Sequence, residues 1–297
     1  MDFDFKQLQA LATVIDEQGF DKAAQKLCLT QSAISQRVRQ LEIQIGHILI
    51  IRSSPPQLTE TGHQVMMFYR QLALLHSEFA AMVPGSSENN WNTLSIGTNA
   101  DSLCTWLLDA LGPLLQSHRL VLDLKIDDQE QTHELLRKGE VMGCISARSV
   151  AEKGCNCMPL GVMRYRCLVS PDFYQRYFAT GVTQEAIVEA PCVEFSSKDE
   201  LILRYLRRVF QIDSHPKIHR IPLTDAYMGF ISKGNAWGIV PDQQSEQARA
   251  EGSLIELLPN KPIDVPLYWH IWNLKSQVSQ ALSAQLQKSA QTILLPM

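Results

Sequence analysis

Residues 23–52 read AAQKLCLTQSAISQRVRQLEIQIGHILIIR. Four apolar residues in this stretch recur at spacings of four, three and four: Ile34, Val38, Leu41 and Ile45. Such spacings place side chains on one face of an α-helix. Thr30 precedes the stripe, where a hydroxyl caps free N–H groups, and Gly46 follows it, where a helix commonly ends. We therefore predict a helix between these two residues, with one face turned to a core.

The opposite face of this helix carries polar and basic side chains that suit the edges of base pairs. Gln pairs bidentately with adenine, Arg pairs with guanine, and Ser bonds a base or a phosphate. Ala23 and Ala24 are small enough for the close helix crossing of a helix-turn-helix. An amphipathic surface helix with a solvated polar face is the alternative interpretation. We expect these residues to contact DNA: Thr30, Gln31, Ser32, Ser35, Gln36, Arg37, Arg39 and Gln40.

An apolar strand over residues 49–51 leads into Arg52 and a Ser/Pro segment that cannot be helical. We interpret it as a wing that brings Arg52 and Pro55 to the DNA, and the alternative is an ordinary hairpin with an exposed Arg. The chain as a whole has a net charge of −4, but residues 22–41 contain four basic residues and no Asp or Glu. A local excess of this kind is expected of a small phosphate-contacting surface.

The pattern over residues 23–52 resembles the N-terminal signature of LysR-type transcriptional regulators, and it continues through Leu58-Thr59-Glu60-Thr61-Gly62. It departs at Ile50, where most of the family has Phe. The resemblance implies a winged helix-turn-helix, a linker helix and a two-lobed α/β domain like a periplasmic binding protein, with the chain crossing over twice. Further segments resemble the ArgP type of this family, which responds to basic amino acids: residues 24–28, 99–102, 105–108, 137–141 and 268–270.

A heptad seam follows the wing at spacings of three and four: Val65, Phe68, Leu72, Leu75, Phe79 and Met82. A repeat of this kind predicts a helix that pairs with a second helix. We therefore predict a dimerisation helix, in a homodimer or homotetramer, and the family resemblance implies the same. The alternative is a core helix of the next domain. Two copies would read two half-sites of a palindromic promoter.

Alternating strands and helices follow a polar hinge and predict an α/β domain of parallel βαβ units. The predicted strands span residues 94–98, 120–126, 141–145, 166–170, 192–195, 215–221, 237–240 and 267–272. The predicted helices span residues 101–117, 132–138 and 277–294, with another beginning at 224. The predicted domains are 1–58 (DNA-binding), 59–83 (linker helix), 84–93 (hinge) and 94–297 (effector-binding). The last divides into lobe 1, about 94–162 plus 267–297, and lobe 2, about 163–266.

Ligands of open α/β sheets bind beyond the C-terminal ends of the strands, beside helix N-termini. Helix N-termini suit an α-carboxylate, whereas aspartates suit an ammonium or guanidinium group. Asp and Ser at helix starts are also common caps, which is the alternative role of each residue. We expect these residues to bind the effector: Thr98, Asn99, Ala100, Asp101, Ser102, Asp128, Ser146, Phe195, Ser196 and Asp225.

The chain contains no phosphate-binding Gly-rich loop, nucleophile elbow or His-Glu-x-x-His motif, so no enzyme, cofactor or metal is predicted. Cys155-x-Cys157 is a weak zinc signal because no second pair lies nearby. No signal peptide or membrane-spanning run is evident, which predicts a cytoplasmic protein.

We therefore predict a transcriptional regulator that binds double-stranded promoter DNA and is controlled by lysine or arginine. Its targets would be genes of amino-acid transport or metabolism, and RNA polymerase is an expected partner. The alternatives are a different small metabolite as effector and a redox or metal signal through the cysteines. A ligand-binding protein without DNA activity is disfavoured by residues 23–52.

Overall fold

A computed structural model describes residues 4–82, 91–214 and 216–297. The first domain contains three helices and a two-stranded antiparallel wing: α1 (Phe5–Asp16), α2 (Phe20–Lys26), α3 (Gln31–Ile45), β1 (Ile50–Ile51) and β2 (Gln57–Leu58). The apolar stripe of α3 packs on Leu8 and Leu11 of α1 in one buried core. Thr30 caps α3 by accepting from the Ala33 N–H at 3.2 Å, and Gly46 ends it in the left-handed conformation. The predicted helix-turn-helix and its wing are confirmed.

The linker helix α4 (Glu60–Met82) starts tightly against the wing. Thr59 Oγ1 donates to the Ile48 carbonyl at 2.8 Å and accepts from the Gly62 N–H at 3.0 Å, so it caps α4 and ties it to the strand. A Cβ on Gly62 would lie 2.2 Å from the Leu49 carbonyl oxygen. Only glycine fits here, because the atom that a Cβ would meet belongs to the backbone and cannot rotate away.

The linker helix packs on two cores of its own chain. Val65, Tyr69 and Leu72 pack against the core of the first domain. Met67 and Leu74 pack against the core of the second domain. The predicted seam therefore does not lie on one free face, since α4 buries part of it within the same chain.

The second domain contains the strands β3 (Asn92–Thr98), β4 (Leu120–Ile126), β5 (Gly143–Ser146), β6 (Cys155–Val169), β7 (Cys192–Glu194), β8 (Ile218–Arg220), β9 (Gly238–Pro241), β10 (Ile255–Glu256) and β11 (Ile263–Trp272). Seven of them form one sheet in the order β10-β6-β11-β5-β3-β4, with β9 also paired to β6. A separate parallel pair, β7-β8, lies outside this sheet.

Helices cover and connect these strands. They are α5 (Ala100–Ser102), which continues through a π-helical turn (Leu103–Leu107) into α6 (Leu108–Ser117), then α7 (Thr132–Arg137), α8 (Pro171–Tyr177), α9 (Gln184–Glu189), α10 (Leu201–Phe210), α11 (Thr224–Ser232), α12 (Asp242–Ala250) and α13 (Gln277–Ile293). The predicted α/β fold is confirmed. Helices α8, α9, α10 and α12 were not predicted from the sequence, and most of the predicted hinge lies outside the described residues.

The predicted strand at 166–170 is the end of the much longer β6, which runs antiparallel to β11. Among the described strands, parallel pairing joins β3 to β4 and to β5, and β7 to β8. The first part of β6 was not predicted because it contains Pro159 and Gly161, two residue types that usually indicate turns. Tyr268 pairs with Pro159 and Leu267 with Gly161, so Leu160 is the extra residue of a β-bulge. The bulge lets these two residues remain inside a strand.

None of the described helices has the length and apolarity needed to cross a membrane. Within the described ranges, no three His, Cys, Asp or Glu side chains are arranged to hold a metal ion.

Candidate functional site

The polar face of α3 is open to solvent. Gln31, Ser32, Gln36, Arg39 and Gln40 are exposed, and Ser35 and Arg37 are partly buried. The structure brings these predicted DNA contacts together on one surface because the apolar stripe holds the other side of α3 against α1. One helical face therefore presents hydroxyl, amide and guanidinium groups, the set that reads base edges and phosphates.

Glu42 fixes the wing relative to α3. Its Oε1 accepts hydrogen bonds from the backbone N–H of Leu49 at 2.8 Å and from that of Ile50 at 3.3 Å. This role of Glu42 was not predicted, although the residue lies within residues 23–52. The carboxylate ends the polar face and holds the strand that leads to Arg52.

The basic surface is smaller than the sequence indicates. Lys26 Nζ lies 2.5 Å from Glu17 Oε1. Glu17, at the C-terminal end of α1, therefore neutralises one of the four basic residues within 22–41. Arg52 lies at the wing, with its guanidinium carbon 6.0 Å from the Phe20 ring centroid. Pro55 is exposed at the wing tip. The basic groups that face outward beside the recognition helix are then Lys22, Arg37, Arg39 and Arg52.

The predicted dimerisation residues fall into two groups. Phe68, Leu75 and Phe79 are exposed by 44%, 38% and 67% of their surface. Val65 and Leu72 instead pack on the first domain of their own chain. The side chain of Met82 lies outside the described residues. A partner helix would meet the exposed group.

A cleft of about 280 Å³ opens where β3 and β4 end and where α10, α11 and α12 begin. Its lining includes six of the ten predicted effector residues: Asn99, Ala100, Asp101, Asp128, Phe195 and Ser196. The parallel pairing of β3 with β4 brings the first four together, because both strands end at the same edge of the sheet.

The other four predicted effector residues lie outside this lining. Thr98 and Ser102 are fully buried, and Ser146 is buried with its hydroxyl donating to the Gln129 carbonyl at 3.1 Å. Asp225 is exposed on α11, where its neighbour Thr224 faces the cleft instead.

Several lining residues were not among the predicted site residues. They are Asp127, Gln129, Ser197, Lys198, Asp199, Thr224, Tyr227 and Gln244, with five apolar residues around them. Asp127 follows the same strand as Asp128, so the strand-end rule pointed at it. Asp199 and Gln244 come from loops and helices that the sequence analysis did not place.

Asp101 is a partly buried carboxylate of the cleft that two side chains hold by hydrogen bonds. Its Oδ2 accepts a hydrogen bond from Tyr165 Oη at 2.8 Å, and its Oδ1 accepts from Gln244 Nε2 at 3.4 Å. Burial raises the pKa of Asp101 to about 6, although these hydrogen bonds oppose the rise. Both donors are neutral, and no cation among the described residues forms an ion pair with this carboxylate.

Two further carboxylates share this environment. Burial raises the pKa of Asp128 to about 6, although the carboxylate accepts from the Glu130 N–H at 2.8 Å. Burial also raises the pKa of Asp199, which accepts from the Leu201 N–H at 2.9 Å. The negative charge of Asp199 adds to the rise at both Asp101 and Asp128. The site therefore gathers carboxylates that burial and mutual repulsion make costly to ionise.

The cleft has one cation among the described residues that line it, Lys198. Lys198 Nζ already lies 2.7 Å from Asp127 Oδ1 and so joins the two walls of the cleft. Four aspartates against this one lysine leave a formal excess of three negative charges.

Asn99 adds an unpaired acceptor at the same place. Its Nδ2 donates to Gln129 Oε1 at 3.1 Å, which orients the amide. Its buried Oδ1 has no hydrogen-bond donor among the described residues. A buried acceptor without a donor costs free energy until a donor arrives. The cleft is thus built to accept hydrogen bonds and positive charge.

Four cysteines sit in surroundings that disfavour the thiolate. Burial raises the pKa of Cys155 to about 11, and it also raises the pKa of Cys144, Cys167 and Cys192. The thiolate is the reactive form in oxidation and metal binding. This environment disfavours a redox signal at these four thiols.

Comparisons with known proteins agree with this architecture. The sequence profile of the bacterial regulatory helix-turn-helix proteins of the lysR family matches residues 5–63, and that of the LysR substrate binding domain matches residues 88–291. The HTH-type transcriptional regulator ArgP of Pseudomonas fluorescens (strain Pf0-1) is 40% identical over 296 residues, which cover 99% of each chain.

Two solved structures resemble the full chain. The crystal structure of ArgP from Mycobacterium tuberculosis superposes with a TM-score of 0.90 at 32% identity and covers 100% of both chains. Full-length LysG from Corynebacterium glutamicum with bound effector Arg superposes with a TM-score of 0.80 at 30% identity, covering 99% of this chain and 100% of LysG.

Proposed function

This chain belongs to the LysR family of DNA-binding transcriptional regulators, in its ArgP-like subfamily, and on that premise we propose that a basic amino acid, lysine or arginine, binds in the acidic cleft and controls it. The observation that carries the proposal is the excess of partly buried carboxylates over Lys198, the one lysine among the described lining residues, which is already paired. A ligand that supplies a positive charge removes the cost of ionising them.

The cleft offers complementary groups for both ends of such a ligand. Asp101, Asp128 and Asp199 would receive the ammonium or guanidinium hydrogens, and the unpaired Oδ1 of Asn99 would receive another. The hydroxyls of Ser196 and Thr224 are donors for the α-carboxylate, and Thr224 begins α11, whose N-terminus favours negative charge.

Contacts across the cleft supply the means of closure. Lys198 reaches Asp127, Gln244 reaches Asp101, and Arg204 Nη1 lies 3.4 Å from Glu130 Oε1. A ligand that bridges the same two walls stabilises the closed arrangement by its differential affinity for it. We take residues 94–162 plus 267–297 as one lobe and 163–266 as the other, with 1–58, 59–83 and 84–93 as DNA-binding domain, linker and hinge.

The experiment is calorimetric titration of the full-length protein with each of the twenty amino acids. We expect binding of lysine, arginine or both, and no binding of neutral or acidic amino acids of similar length. Asp128→Asn should weaken this binding, whereas Asp225→Asn, which lies outside the cleft, serves as the matched control. Selective binding of a neutral or acidic amino acid would contradict the proposal.

We further propose that the chain acts as a homodimer or homotetramer in the cytoplasm, on promoters of amino-acid transport or metabolism genes and together with RNA polymerase. The exposed residues Phe68, Leu75 and Phe79 of α4 support pairing through this helix. Replacing Phe79 with Glu should shift the sedimentation of the protein towards monomer. The control is Gln64→Glu, which changes charge at an exposed polar position of the same helix.

A further inference from the structure

The turn that follows α7 lies directly on the linker helix α4. His63 Nδ1 lies 3.1 Å from the Lys138 carbonyl oxygen, and Arg70 Nη1 donates to the Gly139 carbonyl oxygen at 2.5 Å. The last carbonyls of a helix lack partners within it and form the negative end of its dipole. Arg70 therefore pairs with the turn just beyond the end of α7, beside the negative end of the helix dipole.

Gly139 makes this approach possible. Its φ of +67° lies in the left-handed region, and a Cβ built on it would lie 2.8 Å from Met67 Cα. Any side chain here would push the turn away from α4. The segment 137–141, which carries part of the family resemblance, thus forms a contact between domains.

Arg70 also reaches the DNA-binding domain. Its Nη2 lies 3.0 Å from Asp16 Oδ1, at the last residue of α1. Because α1 packs on α3 in one core, Asp16 belongs to the body that carries the recognition surface. One guanidinium therefore joins the effector domain, the linker and the DNA-binding domain.

The other end of α7 lies at the cleft. Its first residue, Thr132, donates its N–H to the Asp128 carbonyl at 2.9 Å, and Asp128 and Gln129 line the cleft. A six-residue helix is about 9 Å long. A single short helix thus runs from the cleft to the Arg70 contact.

The junction around Arg70 is open rather than densely packed. A cavity of about 890 Å³ lies there, lined by residues of α1, the wing, α4 and the effector domain. Interfaces without dense packing rearrange without disturbing a core. A few polar contacts, with Arg70 at their centre, therefore fix how the two domains sit.

We propose that Arg70 is a clasp that couples cleft occupancy to the DNA-binding domain: an effector beside Asp128 and Gln129 shifts α7, and Arg70 passes the shift to α1 through Asp16. The nature of the effector rests on the function proposed above, whereas the clasp itself does not. Because coupling of this kind is reciprocal, the DNA-binding domain also biases the cleft.

Hydrogen–deuterium exchange of the full-length protein tests the clasp, with saturating L-arginine or L-lysine as the probe. In the wild type, ligand should change exchange both at the cleft (126–132) and in α1 (8–16). In Arg70→Met the cleft response should persist and the α1 response should be lost. Asp16→Ala should lose the α1 response too, while the turn at 138–140 stays protected. Arg164→Met, which removes only a pair with Asp264, is the matched control.

An α1 response in Arg70→Met equal to that of the wild type would overturn the clasp. If neither amino acid changes exchange at the cleft of the wild type, the proposal that lysine or arginine is the effector is wrong. The clasp is then tested in the unliganded protein. There, Arg70→Met should speed exchange at residues 138–142 relative to both the wild type and Arg164→Met. Unchanged rates would overturn the clasp independently of any effector.

Discussion

The recognition face of α3 and the acidic cleft hold their polar groups in opposite ways. The face is one contiguous segment whose side chains remain in water, so the unbound protein keeps them at little cost. The cleft gathers residues from distant segments and buries carboxylates, which raises the pKa of Asp101 and Asp128. An exposed surface gains affinity contact by contact, whereas a buried site carries a free-energy cost that its ligand relieves.

The largest expected effect is at Asp101. Replacing it with Asn should weaken the binding of lysine or arginine by about 2–3 kcal/mol, because a charge-assisted contact is lost. The same change should raise the melting temperature of the unliganded protein, because a neutral amide escapes the cost of burying a charge. Calorimetric titration and thermal unfolding measure the two effects. If Asp101→Asn weakens effector binding but leaves the melting temperature unchanged or lower, the ionised carboxylate does not destabilise the unliganded protein.

On the recognition face, Arg39→Ala should cost about 1–3 kcal/mol of DNA binding and relax the preference at one base pair if Arg39 reads a guanine. Competition binding with a series of DNA sites, each altered at one base pair, measures both the loss of affinity and the change in preference. An equal loss at every sequence would make Arg39 a phosphate contact instead. The affinity for the amino acid should not change, and Lys26→Ala, already paired with Glu17, should have a smaller effect on DNA.

Acidity should act on the cleft. The pKa of Asp101 and of Asp128 is about 6 in the folded protein, above the ordinary 3.8. Their contribution to the free energy of unfolding is therefore greatest below about pH 4 and is lost as pH rises through about 6. A cationic ligand favours the ionised form, so its affinity should fall about tenfold for each of these carboxylates between pH 7 and pH 5.

Titration calorimetry in buffers of different ionisation enthalpy checks this pH dependence, since proton release on binding should appear near pH 5.5. An affinity that does not vary between pH 5 and pH 7 would show that neither carboxylate contacts the ligand's charge. Asp128→Asn should remove its share of the dependence.

The smallest expected effect is at Glu42, a carboxylate on the DNA-binding side whose two N–H donors satisfy it. Glu42→Gln should destabilise the protein by about 0.5–1.5 kcal/mol, because it weakens hydrogen bonds to a charged acceptor. Urea unfolding measures this. Glu42→Gln should therefore lower the stability of the unliganded protein, whereas Asp101→Asn should raise it. A stabilising effect of Glu42→Gln would contradict this contrast between the two regions.

Local rules found the DNA-binding domain because its signals lie close together in the chain. The stripe from Ile34 to Ile45, the cap at Thr30 and the stop at Gly46 each appear where predicted. The strand-end rule also found Asn99, Asp101 and Asp128, because parallel pairing of β3 with β4 follows from the βαβ pattern.

The sequence by itself determined that this chain has a helix-turn-helix and an α/β domain, since periodicity and capping act over a few residues. Tertiary structure decided which polar groups meet. It brought Asp199, just before α10, and Gln244 of α12 into the cleft and left Asp225 in solvent, because these residues lie far apart in the chain and only the fold sets their positions. It also turned Val65 and Leu72 inwards, since burial depends on which surfaces the fold brings beside a helix.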